Sequence, residues 1–171
     1  MEIAIRSARE GDLAALVVIE AEGHETLRRV GAVPDAPSDG DDGELRNWLE
    51  TGIVLVAVDA TDRPLGYAGA MRAGDCLHVC QIDVGHAWQR RGIGSRLMAA
   101  LVAIARHDGR GGVTLTTDRN VSFNAPFYAT LGFRVLDPAE LSEMLRTILE
   151  REAAHGLDPA RRCAMRLDFL P

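Results

Sequence analysis

Gln89-Arg90-Arg91-Gly92-Ile93-Gly94-Ser95 lies between two apolar runs of different period. Upstream, residues 77–84 (L-H-V-C-Q-I-D-V) have the length of a buried strand and sit between Gly74 and Gly85. Downstream, Ile93, Leu97, Leu101 and Ala105 recur at helical spacing, and Met98, Val102 and Ile104 widen the apolar face. A strand therefore feeds a short loop, and the loop feeds a helix whose first turn holds two glycines. Such a junction aims unpaired backbone N–H groups and the positive end of a helix dipole at one point, which suits a phosphate. Arg90 and Arg91 add charge-assisted contacts.

Two familiar phosphate motifs are excluded. No Lys follows the glycines, as a P-loop requires; all 19 basic residues are Arg, which also removes a Schiff-base lysine and ordinary pyridoxal phosphate chemistry. Leu97 stands where the dinucleotide fingerprint needs its third glycine. What remains is Q/R-x-x-G-x-G/A between strand and helix. About thirty residues on comes Asn124-Ala125-Pro126-Phe127-Tyr128-Ala129-Thr130-Leu131-Gly132-Phe133. The two segments, in this order and separation, resemble the acetyl-coenzyme A motif and the F-Y-x-x-L-G-F segment of the GNAT superfamily of acetyltransferases.

Length and composition bound the rest. At 171 residues and 47% hydrophobic, the chain reads as a single domain spanning 1–171. No apolar run is long enough to span a membrane, and charges near the N-terminus replace a signal peptide, so the expected location is cytoplasmic. Cys76, Cys80 and Cys163 form no C-x-x-C pair and no metal-ligand spacing; no metal is expected. Twenty-five acidic against 19 basic residues give a net charge of −6, which disfavours nucleic acid and suits a cationic substrate. The exclusive use of Arg reads as the codon bias of a GC-rich genome.

In chain order, residues 2–7 alternate as a first strand, and Gly11-Asp12 supplies the N-cap of a helix with Leu13, Leu16, Val17, Ala21, His24 and Leu27 on one stripe. Gly23 weakens that helix and divides it, and Glu20 lies on the stripe beside His24. Residues 31–45 hold five acids and no base, a loop that either faces solvent or presents negative charge to an incoming ammonium group. A short helix over 44–50 follows. Strands over 53–59, 65–71 and 77–84, joined by short turns, are antiparallel. A helix over 92–107 then crosses to a strand over 113–117, which is parallel to the one before it. A helix over 122–131, with Phe127 and Leu131 facing the core, a strand from Phe133, an inserted helix over 139–155 opened by Asp137-Pro138, and a strand over 161–169 complete the chain.

The resemblance covers nearly the whole chain in element order. It implies a mixed α/β fold with a central, mostly antiparallel sheet, flanked by helices, whose one parallel strand pair splays to hold acetyl-coenzyme A. The pyrophosphate would sit on Gln89, Arg90, Arg91, Gly92, Ile93, Gly94 and Ser95, and the pantetheine arm would pair with the strand edge at Ile82, Asp83 and Val84. Asn124, or Asn120 in its place, would orient pantetheine or substrate, and Phe127 would flank it. Tyr128 holds the position of the tyrosine that protonates the departing thiolate, and the N–H of Val84 would polarise the carbonyl. Relatives place a Glu or His on the central strand as general base; His78, which strand alternation puts on one face with Cys80, Ile82 and Val84, matches one such position, Cys80 replaces the other, and Glu20 and Asp83 are further candidates. The reading is an acetyl-coenzyme A-dependent N-acetyltransferase of a small amine, acting in a ternary complex. A protein N-terminus or lysine as acceptor, a catalytically silent acyl-coenzyme A-binding module and an unrelated nucleotide-binding domain remain alternatives. Homodimerisation is common in the superfamily, and no residue here decides it.

Overall fold

A computed structural model describes residues 2–35 and 43–169. The centre of the acidic run, residues 36–42, lies outside them. Seven strands form one sheet in the order β1-β2-β3-β4-β5-β7-β6: β1 (Ala4–Ser7), β2 (Ile53–Val58), β3 (Pro64–Ala73), β4 (Cys76–Val84), β5 (Gly112–Asp118), β6 (Arg134–Val135) and β7 (Arg162–Asp168). Short turns make β2, β3 and β4 antiparallel, and β1, joined to β2 by a long helical connection, pairs with it antiparallel as well. The crossover helix α3 (Ile93–His107) makes β4 and β5 the parallel pair expected of a strand-helix-strand unit.

Apolar periodicity explains the layers. Leu97, Met98, Leu101 and Ala105 of α3 are buried against Leu77, Val79, Val113, Leu115 and Met165, with Tyr128 and Phe133 joining them. The helix containing Tyr128 is α4 (Ala125–Thr130). On the opposite face, α1 (Leu13–Arg29) and α2 (Gly43–Thr51) pack Leu16, Ile19, Leu45 and Trp48 against Val54, Val56 and Tyr67. The inserted helix α5 (Glu143–Ala154) covers the far end of that second face, where Glu152 accepts from Thr116 and from Arg162.

Several local expectations differ. α1 is one continuous helix of 17 residues, undivided at Gly23. Its buried positions are Leu13, Leu16, Ile19 and Gly23, so the stripe is rotated and Ala21 is exposed. Asp12 gives no side-chain cap to α1; its carboxylate accepts from the Arg9 N–H and the Arg6 guanidinium instead. Asp137-Pro138 opens only a 3-10 turn, and α5 begins at Glu143, where the Ser142 hydroxyl accepts from the Leu145 N–H. α4 is shorter than expected, and Ala125 and Tyr128 are its buried residues, while Phe127 and Leu131 are only partly covered.

One irregularity decides the faces of the central strand. Gly69 pairs with Gln81 but Ala70 pairs with Val79, so Cys80 is an extra residue in β4, a β-bulge. Strand side chains alternate with period two, and one inserted residue inverts everything beyond it. Leu77 and Val79 therefore share the α3 face with Ile82 and Val84, whereas His78 shares the other face with Gln81 and Asp83. The shared face expected for His78, Ile82 and Val84 is thereby corrected.

Candidate active site

β4 and β5 pair only from Cys76–Gly112 to Val79–Leu115 and then part. The gap is a cleft of about 680 Å³. Its walls are the end of β4 (Ile82, Asp83, Val84), the following loop and the start of α3 (Trp88, Gln89, Arg90, Gly92, Ile93, Gly94, Ser95), the α4 region (Ser122, Phe123, Asn124, Phe127, Tyr128) and three α1 residues (Gly23, Thr26, Leu27).

At one end the backbone is shaped for an anion. Arg90 and Gly92 have φ of +57° and +77°, with Arg91 between them outside the left-handed region, the alternation of hand by which a loop can turn successive N–H groups to one side. For Arg90 this left-handed conformation is strained. The N-cap of α3 is Gly92, which has no side chain to bond the first turn, and Ile93, Gly94 and Ser95 of that turn line the cleft. The Gln89 amide folds back to donate to the Val84 carbonyl at 3.1 Å. Arg91 is not a cleft residue; its guanidinium stacks on Trp88, 5.0 Å from the ring centre.

Along the wall runs an open strand edge. The Gly85 N–H donates to Leu65 of β3, and alternation turns the N–H of Val84 and the N–H and C=O of Ile82 the other way, into the gap left by β5, the Val84 carbonyl being taken by Gln89. An extended amide-bearing chain could add there as a strand would.

The proton-carrying groups meet in the middle. Asp83 accepts from Gln81 Nε2 at 2.6 Å, and burial pushes its carboxyl up to about 6 despite that bond and the nearby Tyr67 hydroxyl. Tyr128 is only 8% exposed, packed 5.2 Å from Phe127 and 6.0 Å from Phe133 between ring centres. Burial, and then the Asp83 charge, push its phenol well above the usual range. The two groups line one cleft, and the Asp83 charge acts on Tyr128.

The other expected residues lie elsewhere. His78 is 3% exposed, bonded through Nδ1 to the Thr114 hydroxyl at 3.1 Å, and does not line the cleft. Burial lowers it to about 4, so it is neutral in the folded protein at pH 7. Cys80 is half-buried, and burial raises its thiol to about 11. Glu20 is half-buried on α1 and outside the cleft wall. Asn120 is exposed, its N–H donating to Asp118, whereas Asn124 is in the wall. Sequence reading missed Gly23, Thr26, Leu27, Trp88, Ser122 and Phe123, which carry no motif; the dipeptide Ser122-Phe123 directly before the α4 segment was the one available signal.

His78 has a measurable consequence. The unfolded imidazole titrates near 6.5, the folded one near 4. Between those values the unfolded chain binds more protons, so acid destabilises the fold through this residue. His78→Asn, which keeps a partner for Thr114, should reduce the stability lost between pH 6.5 and 4 by at most ~3 kcal/mol. Urea titrations at the two pH values check this; an unchanged acid loss would contradict the neutral, buried histidine.

Comparison with known proteins decides the family. Residues 20–133 match the model of the acetyltransferase (GNAT) family.

The chain belongs to the acetyltransferase (GNAT) family.

Membership implies acyltransferase activity. Solved structures share the GNAT fold at low identity. The PaiA N-acetyltransferase of Thermoplasma acidophilum, solved with coenzyme A, has 16% identity and a TM-score of 0.72 over 99% of this chain and 100% of that one. A GNAT acetyltransferase of Brucella melitensis, solved with acetyl-coenzyme A, has 20% identity and a TM-score of 0.61 over 99% and 90%. The ribosomal-protein-S18-alanine N-acetyltransferase of Escherichia coli has 16% identity and a TM-score of 0.67 over 98% and 94%. Among the described residues no helix is long and apolar enough to cross a membrane.

Proposed function

We propose that this GNAT protein transfers an acetyl group from acetyl-coenzyme A to the amino group of a small cationic molecule. One observation carries the reading: Asp83 and Tyr128 line a single cleft beside the open edge of β4. The cleft also fits the co-substrate. Its capless helix start and left-handed loop suit a pyrophosphate, and the Ile82–Val84 edge suits the amides of a pantetheine arm. Gly94 keeps the approach open, since a Cβ there would meet nothing closer than Phe127 at 3.7 Å.

Acetyl-coenzyme A supplies the acetyl group as a thioester, and the amine–carbon bond forms as the carbon–sulfur bond breaks. Three demands then fall on the protein. An alkylammonium loses its proton only near pH 10, so a base must take that proton, and Asp83 at about 6 is ionised at pH 7 and close enough to the working pH to act. The N–H of Val84 on the strand edge would polarise the thioester carbonyl of a molecule held there. Tyr128 keeps its proton at neutral pH because its phenol is raised, and so holds it for the sulfur. The proton on the newly bonded nitrogen restores the tyrosine, and Asp83 returns its own to water. Asp83 is favoured over His78 because it faces the cleft. A net charge of −6 favours a cationic acceptor and speeds its approach. Cytoplasmic residence fits this chemistry.

Thermal unfolding with acetyl-coenzyme A, coenzyme A, ATP and NAD tests the reading. At 100 times its dissociation constant a ligand adds about 2.7 kcal/mol, which raises the midpoint by several degrees. A shift with the coenzyme A species alone, followed by thiol release with amines, is the expected result. Equal shifts with every nucleotide, or none, would overturn it; binding without release across a broad amine panel would leave a silent binding module.

A further inference from the structure

Gly23 stands in the interior of α1, where glycine is about 1 kcal/mol less favourable than alanine. It neither breaks the helix nor takes an unusual conformation. The reason for it lies sixty residues away: a Cβ built on Gly23 would overlap Asp83 Oδ1 and lie 2.8 Å from Asp83 Cγ. The carboxylate rests against the helix backbone in the space a side chain would fill. Its other oxygen accepts from Gln81.

The helix is also pinned there. Glu22 accepts from the His86 N–H at 2.6 Å, and the Thr26 hydroxyl meets His86 Nε2 at 2.7 Å. These contacts flank Gly23 by one residue and by three, and both reach the 3-10 turn that directly follows β4. They fix how far α1 stands from the end of the strand bearing Asp83. Beside the pair, the Tyr67 hydroxyl from β3 is buried, and its interaction with Asp83 lowers that carboxyl.

We infer that Gly23 is a positioning residue for the transfer reaction: the notch it leaves in α1, held by the Glu22 and Thr26 contacts to His86, seats the Asp83 carboxylate against the cleft. This rests on Asp83 being the base. Gly23 touches neither substrate nor reacting atoms in this role; it acts through Asp83. The groups facing Asp83 are Gln81 on its own strand, Tyr67 from β3, Tyr128 from α4 and the α1 backbone, with Glu20 of α1 acting on Tyr67. An alanine at 23 must push the carboxylate out of its notch towards the open cleft.

The test combines kinetics with a stability cycle. In Gly23→Ala, kcat should fall by about a hundredfold, as for an angstrom-scale misplacement, while KM for acetyl-coenzyme A stays within about twofold. The acid limb of its pH–rate profile should move below the wild-type value, because the displaced carboxylate regains water. In the wild-type background the substitution should lower the unfolding midpoint by a few degrees. In an Asp83→Ala background, with the obstacle gone, it should raise the midpoint, because alanine is then the better helix former. That reversal of sign can be read even where Gly23→Ala alone folds poorly. A midpoint change of one sign in both backgrounds, or wild-type kcat with an unmoved acid limb, would overturn the role of Gly23 and leave Asp83 as base. Full turnover in Asp83→Asn would overturn both.

Discussion

Asp83→Asn is expected to lower kcat by about a hundredfold to ten-thousandfold, the range by which a positioned proton acceptor contributes. Asparagine keeps the shape and the Gln81 contact but cannot take a proton. Binding of acetyl-coenzyme A should survive, because Asp83 faces the acceptor side beside α1 while the anion site lies in the loop beyond Gln89. The remaining activity should climb as pH rises towards the amine's own pKa, where the acceptor no longer needs a base.

The same substitution should leave the fold more stable at neutral pH. The folded carboxyl titrates at about 6, the unfolded one near 3.9. Above pH 6 the folded protein therefore holds an ionised group in a place that disfavours it. Below 6 the folded state binds the extra proton, and acid stabilises it through this residue until pH falls under the unfolded value. Asp83→Asn should gain roughly 1–3 kcal/mol at pH 7.5, and that gain should vanish near pH 4. Denaturant titrations at both pH values, beside steady-state rates with an amine from the thiol-release screen, check the pair of effects. Loss of activity together with loss of stability would mean that Asp83 is structural. His78 titrates across the same window with the opposite sign, so the two groups partly cancel in the wild-type stability profile.

Asp118→Ala should give the largest loss of stability. Asp118 ends β5, is fully buried, and accepts from the N–H groups of Asn120 and Val121 at 2.7 and 3.1 Å. The Arg161 guanidinium donates to it at 2.7 Å and also reaches the Gly31 carbonyl. Burial alone would raise this carboxyl, but Arg161 and the two N–H groups outweigh it and hold it below the ordinary range. Alanine leaves the buried Val121 N–H, the part-buried Asn120 N–H and a half-buried guanidinium without their acceptor, which costs about 3 kcal/mol. The loop so released carries Ser122, Phe123 and Asn124 to the cleft, so coenzyme A affinity should weaken as well. Urea unfolding and a binding titration measure the two losses. A change below about 1 kcal/mol would show that water replaces the carboxylate at no great cost.

Much of this was readable in the chain because its causes are local. The apolar period of residues 77–84 and of Ile93 to Ala105 specified β4 and α3, and the glycines between them specified the loop. Short turns specified the antiparallel strands, and one crossover helix the parallel pair. Gln89 to Ser95 and the Phe127-Tyr128 pair carried the family resemblance, and all but Arg91 of these line the cleft. Tertiary structure alone decided what depends on register and on distant neighbours. The bulge at Cys80 turned His78 away from the face of Ile82 and Val84, and its one trace in the sequence is that the alternation of L-H-V and of I-D-V changes phase across Cys80-Gln81. Gly23 looked like a weak point in a helix until Asp83 was found in the space it leaves. Asp118 lies just past the strand read over 113–117, and only the fold brings Arg161, 43 residues on, against it. Periodicity and turn chemistry act between neighbours in sequence and can be read there; the seating of a buried carboxylate is set by whichever segments packing brings to it.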